Sequence, residues 1–239
     1  MPARNPTATD PTVSARGTGS PRARREPLTR ERIVRAAMQI MDEEGLEAVT
    51  MRRVGRELGV EAMSLYNHVA DKEDILGGVV EAVMGKYEFP PECDDWRESA
   101  RRTARAWRDL LKAHPNVMTI MSHQRKPLAS VAALRPMEHA LDILGRAGLS
   151  PEETVRAFRA FGGYIQGFVL AEIANMFGGD LPDARPEDIE LTLPLDQLPS
   201  LGPHVPYLFR CDFDAEFEYG LDLMLRGLEV KGEAGGSSA

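Results

Sequence analysis

The sequence predicts an all-α protein, with an N-terminal three-helix helix-turn-helix unit followed by a larger helical domain. Three observations carry this. Only 6% of residues are aromatic while Ala, Leu, Arg and Glu recur throughout, a composition that favours helices over a β-sandwich. Apolar residues recur at three- and four-residue spacing along most of the chain. N-cap residues and Gly stops punctuate those runs at helix-sized intervals.

The elements follow in order. Residues 1–27 are rich in Pro, Thr, Ser, Gly and Arg with almost no large apolar side chain, so they cannot offset their own ordering entropy and a disordered tail is expected. Its basic cluster, Pro21-Arg22-Ala23-Arg24-Arg25, reads either as solvated chain or as an arm for phosphates or a minor groove. From Leu28 the pattern changes. Ile33, Ala36, Ala37, Ile40 and Met41 fall on one helical face, Thr29 stands as N-cap, Leu28 and Ile33 occupy staple positions, and Gly45 stops the run. A second helix is expected from Met51 to Leu58, between Thr50 as cap and Gly59 as a left-handed terminator. A third is expected over roughly Glu61–His68. Asp71 caps a fourth, reaching to about Tyr87, with Asp74 at its third position.

Short helices joined by a Gly-centred turn form a helix-turn-helix candidate over 28–72. Val54, Leu58, Val60 and Leu65 can pack the pair together against Ile33, Ala37 and Ile40. Ala62, Met63, Ser64, Tyr66, Asn67 and His68 are left for solvent or a partner. Small residues at the start of a helix permit close approach to a major groove, and the polar ones can meet bases or phosphates. Arg52 and Arg53 oppose the macrodipole of the second helix, while its free N–H groups and Thr50 would favour an anion.

Charge agrees once its distribution is considered. The net charge is −8, but residues 1–72 carry +2 and residues 73–239 carry −10. Phosphate is met by a local patch and not by the average. The 239 residues suffice for one large or two small domains. No apolar run reaches the length of a membrane span, and the first residues lack a signal-peptide core, so a cytoplasmic protein without a membrane partner is expected. Cys93 and Cys211 have no partner at metal-ligand spacing, which excludes a zinc finger or disulfide framework. Neither a nucleophile–base spacing, an HExxH run nor a phosphate loop occurs, so catalysis is not expected.

Residues 28–90 resemble the TetR family of transcriptional regulators. The resemblance rests on Leu46-Glu47-Ala48-Val49-Thr50-Met51-Arg52-Arg53-Val54 and on Leu58-Gly59-Val60-Glu61-Ala62-Met63-Ser64-Leu65-Tyr66-Asn67-His68-Val69-Ala70-Asp71-Lys72. It implies a homodimer whose two heads read a palindromic double-stranded DNA operator, and a helical domain that binds a small-molecule effector. By that resemblance Thr50 and Arg52 meet phosphate or base, and Ala62, Met63 and Ser64 begin the recognition helix. Tyr66 and His68 contact the DNA backbone, and Lys72 binds phosphate. Asn67 replaces the Trp of the tetracycline repressor, so base preference is expected to differ. Tyr66 as packing and His68 as a turn-holding residue are the alternatives.

Residues 73–230 read as a helical bundle for ligand binding and dimerisation. Helices are expected over Asp95–Ala113, Val117–Ser122, Ser130–Ala147 and from Ser150 to about Phe177, where Ser150-Pro151-Glu152-Glu153 is a strong start signal. Gly178 to Arg210 holds six prolines and reads as a long loop. A last helix is expected over Phe213–Glu229, and 231–239 reads as a disordered tail. This half resembles the tetracycline-repressor branch through the Trp96 helix, the His123-to-Pro127 turn, Gly163–Gly167–Leu170, and the Phe217–Gly220–Leu221–Leu225–Gly227–Leu228 helix. That implies a four-helix dimer bundle, for which Phe168, Phe213, Phe217 and Leu221 are the expected contacts, with ordinary core packing the alternative.

An apolar cavity between helices is the expected effector site. Met118, Met121 and Met137 suit an adaptable wall, Trp107, Phe161 and Tyr164 could stack on a flat ligand, and His123 and Gln166 could orient it. His123 corresponds to the magnesium-binding His of the tetracycline repressor. Its drug-holding His and Asn, however, become Glu88 and Thr103, and a water-coordinating Glu becomes Ala171. Tetracycline–Mg²⁺ is therefore not the expected ligand, and no metal or cofactor is expected. A mainly apolar molecule that releases a repressor from its operator is the resulting expectation. Activation of transcription is not separable from repression on these residues.

Overall fold

The computed structural model describes residues 26–91, 93–123, 130–176, 194–208 and 211–235, and every regular element among them is helical. In order these are α1 (Arg30–Glu44), a 3₁₀ turn (Leu46–Ala48), α2 (Met51–Leu58), α3 (Ala62–Leu65) and α4 (Lys72–Met84), then α5 (Trp96–Ala113), α6 (Asn116–His123), α7 (Val131–Gly145) and α8 (Pro151–Ile173). A second 3₁₀ turn (Gly202–His204), α9 (Val205–Leu208) and α10 (Phe213–Gly235) complete them. The Pro21–Arg25 cluster, residues 124–127 of the expected turn, residue 177 of the expected helix, 178–193 and 209–210 of the expected loop and the last four residues lie outside the described residues.

Local chemistry sets the helix starts. The side chains of Thr29, Thr50, Asp71 and Ser150 each accept a hydrogen bond from a backbone N–H of the first turn, satisfying donors that no carbonyl can reach. Ser150 and Glu153 form a full capping box. Gly59 ends α2 at φ 67°, ψ 34°, a left-handed conformation that glycine adopts without strain. The third helix, α3, is shorter than expected, ending at Leu65, and Tyr66–His68 continue as tight turns with the His68 N–H donating to the Leu65 carbonyl at 2.9 Å. Buried Val69 and the extended Asp71 cap turn the chain before another helical turn can form.

Three later elements depart from expectation. α8 ends at Ile173 because Asn175 takes the left-handed conformation (φ 47°) and the Met176 N–H closes on the Ala171 carbonyl at 2.9 Å, a Schellman-type stop. The proline-rich stretch contains α9, pinned by Val205, which is 1% exposed. α10 runs on to Gly235, since one interior Gly costs only ~1 kcal/mol in a stretch otherwise rich in helix formers.

α4 joins the two halves. One core begins in the head with Ile33, Ile40, Val54 and Leu65 and continues along α4 through Val79 and Val83 to Tyr87, Val117 and Ile120. Arg30 braces α1 against α4 by donating to Asp74 at 2.8 Å, with Glu81 at 3.5 Å. At Gly78 the two helices approach so closely that a Cβ would lie 2.5 Å from Val34. A second core is built by α5, α7, α8 and α10 from Leu111, Leu144, Phe161, Ile165, Phe217 and Leu221. Burying each such side chain contributes about 1.5–3 kcal/mol.

Candidate DNA interface and effector cavity

Gly55 sets the geometry of the head. A Cβ there would meet the Val60 carbonyl oxygen at 3.0 Å and the Ala62 nitrogen at 3.2 Å, so α2 and α3 cross with backbone against side-chain-free backbone. Leu65 is fully buried and anchors α3. The residues around it turn outward: Met63 is 72% and Tyr66 49% exposed, Asn67 and His68 are exposed, and Ala62 and Ser64 are half-buried. Tyr66 is therefore not core packing.

The two arginines of α2 separate. Arg53 folds back onto Glu44 (2.5 Å) and Glu57 (2.7 Å), and those hydrogen bonds raise its pKa. Arg52 is exposed and has no ion pair among the described residues. Exposed Thr50 spends one lone pair on the Arg53 N–H (3.1 Å), which leaves its hydroxyl proton to donate. Lys72, half-buried at the first position of α4, also has no ion pair among the described residues.

In the body, α4, α5, α6, α7 and α8 surround a cavity of about 490 Å³ with a largely apolar wall. Of the expected effector residues, Thr103, Trp107, Met121, Met137, Phe161 and Gln166 line it. Three do not. Met118 points into the α5–α8–α10 core, one helical turn from Met121. The His123 ring contacts the Thr119 carbonyl and Ser122 hydroxyl on the outside of α6. The Tyr164 hydroxyl donates to the Phe217 carbonyl at 2.9 Å and its ring stacks on Phe217, fastening α8 to α10 over Gly220.

Sequence reasoning missed Met84 of α4, Tyr87 just beyond it, and the α8 residues Phe158, Arg159 and Gly162–Gly163. Tyr87 packs edge-on to Phe89 and Trp107 and directs its hydroxyl to the Thr103 carbonyl (3.4 Å); burial pushes its phenol up to about 12, so it stays protonated and donates. The Thr103 hydroxyl lies 3.3 Å from His139 Nε2. Among the described residues no cluster of His, Cys, Asp and Glu could hold a metal ion, and no helix of the described residues is long and apolar enough to cross a membrane.

The residues expected at the dimer interface differ in burial within one protomer. Phe217 and Leu221 are fully buried inside their own protomer, and Phe168 and Phe213 are half-buried with their rings 6.2 Å apart. The large apolar side chains that α8 and α10 leave exposed among the described residues are Val155, Leu170, Ile173, Tyr219 and Leu223.

The comparisons with known proteins give the class. Residues 33–79 match the model of bacterial regulatory proteins of the tetR family, and residues 89–231 match the tetracyclin repressor-like C-terminal domain. The chain is 32% identical over 213 residues to the HTH-type transcriptional repressor DrrR1 of Streptomyces coeruleorubidus, covering 85% of this chain and 78% of that protein. It is 29% identical over 206 residues to the class C tetracycline repressor protein of Escherichia coli, covering 84% and 91%. Among solved structures, the TetR family protein ActR of Streptomyces coelicolor in complex with (S)-DNPA superposes with a TM-score of 0.73 at 29% identity, covering 86% of this chain and 99% of that one. ActR in complex with actinorhodin gives 0.74 at 28%, covering 87% and 99%. The chain belongs to the TetR family: it is a DNA-binding regulator of transcription, not an enzyme.

Proposed function

We propose that this chain is a homodimeric repressor that holds a palindromic operator and is released when a mainly apolar small molecule enters the cavity. The observation that carries the reading is the span of α4. Its first residue, Lys72, stands beside the recognition turn, while Met84 at its end and Tyr87 just beyond it form part of the cavity wall. A ligand that fits a different tilt of α4 changes the spacing of the paired recognition helices, and binding to successive grooves tolerates little change. The ligand must favour the released arrangement to shift the balance.

In this reading Thr50, Arg52 and Lys72 meet phosphates, Ala62, Met63, Ser64 and Asn67 face bases, and Tyr66 and His68 contact the backbone. Thr103, Trp107, Met121, Met137, Phe161 and Gln166 hold the effector. Leu170, Ile173, Tyr219 and Leu223 meet their counterparts in the partner. The test is fluorescence anisotropy on DNA from upstream of the chain's own gene, with actinorhodin, the ligand of one relative, as the first probe. Binding that a cavity ligand reverses is the expected result; a protein indifferent to that DNA at physiological salt overturns the reading. Tetracycline with Mg²⁺ is expected to leave the melting temperature unchanged, since the His123 ring lies off the cavity wall.

A further inference from the structure

Arg159 is the one charged side chain among the described residues that line the cavity. It is exposed and lines the wall at once, which places it at the mouth. It has no hydrogen bond or ion pair among the described residues. Arg156, one turn earlier on α8, is by contrast paired with Glu152 at 2.7 Å, and Arg101, Arg105 and Arg108 on α5 are paired with carboxylates as well. In a body carrying −10, every other described residue of the cavity wall is uncharged and the Arg159 guanidinium is left open.

The helix beside it is bare. Arg159, Gly162, Gly163 and Gln166 fall at i, i+3, i+4 and i+7, which is one face of a helix. A Cβ on Gly162 or Gly163 would find nothing within 4 Å, so the glycines relieve no helix–helix clash. They leave a side-chain-free strip of backbone between a guanidinium and a carboxamide, within an otherwise apolar wall. A flat ring system can lie against such a strip, and an acidic group at its edge then meets the guanidinium in a charge-assisted hydrogen bond.

We propose that the effector is an anionic amphiphile, a flat aromatic body carrying an ionised carboxylate, sulfonate or phenolate, with its rings against Gly162–Gly163 and its charge on Arg159. This rests on the cavity being the effector site, and it names the chemical class of the ligand. The probes that test it are anilinonaphthalene sulfonate and its uncharged counterpart phenylnaphthylamine, which share one ring skeleton and differ by the anion. Both are titrated by fluorescence into the full chain, into Arg159→Gln and into Ala140→Phe, which fills the cavity from α7.

The wild type is expected to bind the sulfonate about tenfold more tightly than the neutral probe, the worth of one charge-assisted hydrogen bond at a partly solvated site. Arg159→Gln should erase that preference while leaving the neutral probe unchanged. Any general effect on fold or assembly acts on both probes and cancels in the ratio. Equal wild-type affinities, or a preference that survives in Arg159→Gln, overturn the anion assignment while blockage by Ala140→Phe keeps the cavity as a ligand site. If neither probe binds, or Ala140→Phe blocks neither, the effector-site reading falls together with this proposal.

Discussion

Arg108 and Glu172 form a two-pronged ion pair inside the body, Nε and Nη2 of the guanidinium each donating to one carboxylate oxygen at 2.8 Å, with side chains only 7% and 12% exposed. Asp214 adds a third hydrogen bond at 2.7 Å, Lys112 donates to Glu172, and the guanidinium lies 4.8 Å from the centre of the Phe217 ring. α5, α8 and α10 are thus tied at one point. Burial works against both charges, yet the hydrogen bonds prevail: Arg108 is held above and Glu172 below its ordinary value. Glu172→Ala leaves the buried Arg108 with only the exposed Asp214 as a partner, so it should cost about 3 kcal/mol in urea denaturation at fixed protein concentration. The double substitution Arg108→Met, Glu172→Leu should lose less than either single one, because neither buried charge remains and Asp214 and Lys112 are left in contact with solvent.

The same pair sets a pH dependence. A carboxylate whose folded pKa is depressed contributes its full stability above its ordinary value, here 4.5, and loses it as pH falls through the lowered value. Melting temperature should therefore decline below about pH 4.5 more steeply in the wild type than in the double variant. An equal decline in both would assign the acid sensitivity to other carboxylates.

His114, the C-cap of α5, has a buried Nδ1 with no partner among the described residues, and its Nε2 lies 3.3 Å from Lys86. Burial, then Lys86, pushes its pKa below 6.5 against the smaller pull of Asp42. The unfolded chain takes up this proton first, so stability is full above 6.5 and falls as pH drops from there to the lowered folded value. His114→Leu should flatten the melting temperature across that window, and an unchanged slope would show that His114 does not titrate there.

The head separates two adjacent arginines. Arg53 is engaged by Glu44 and Glu57, while Arg52 and Lys72 have no ion pair among the described residues. Arg52→Ala and Lys72→Ala should each weaken operator binding and flatten the log–log salt slope by about 1, the mark of one lost phosphate contact. Arg53→Ala should leave that slope unchanged, and Tyr66→Ala should weaken binding without altering the dimer. A slope that changes with Arg53 and not with Arg52 would reverse the assignment.

Gly55 lies within 3.0–3.3 Å of the backbone of Val60 and Ala62 at the position where a Cβ would sit. Neither neighbour is a flexible side chain, so Gly55→Ala must push α3 outward by a few tenths of an ångström, and overpacking of this kind costs about 1–3 kcal/mol. Operator affinity should fall while the body, followed by probe binding in the cavity, is unaffected. Full affinity in Gly55→Ala would mean that the crossing has slack.

How much of this could be read in advance follows the range of the interactions. Thr29, Thr50, Asp71 and Ser150 cap helices by contacts within three residues, and each acts as its local sequence indicates. The outward set Met63, Tyr66, Asn67 and His68 was also legible, because Val54 and Leu65 claim the inward positions. The cavity wall was only half legible. Met118 and Met121 are chemically alike and one turn apart, and only the packing of α6 against its neighbours decides that Met121 faces the cavity. Arg108 gave no signal at all: its partners are 64 and 106 residues away, and in sequence it is one more Arg on an Arg-rich helix. The end of α8 was misjudged because Met176 keeps the apolar period while Asn175, the residue that breaks the helix, is also compatible with continuing it.

The exposed stripe makes the last prediction. Phe217 and Leu221 face inward, so truncating them should destabilise the protomer and not merely the assembly; Phe217→Ala removes a ring that stacks on Tyr164 and should cost about 3–5 kcal/mol. Leu223 and Tyr219 point the other way, 54% and 65% exposed on α10, and Leu170 and Ile173 near the end of α8 are 54% and 48% exposed. Large apolar side chains left exposed on two packed helices are the kind of surface that a partner covers. A charge placed there meets no cost in a monomer and a desolvation cost in a dimer. Leu223→Glu should therefore shift the sedimentation profile from dimer to monomer with helical content unchanged, and should abolish cooperative occupancy of both operator half-sites. A Leu223→Glu protein that still sediments as a dimer would place the interface on another face of the body.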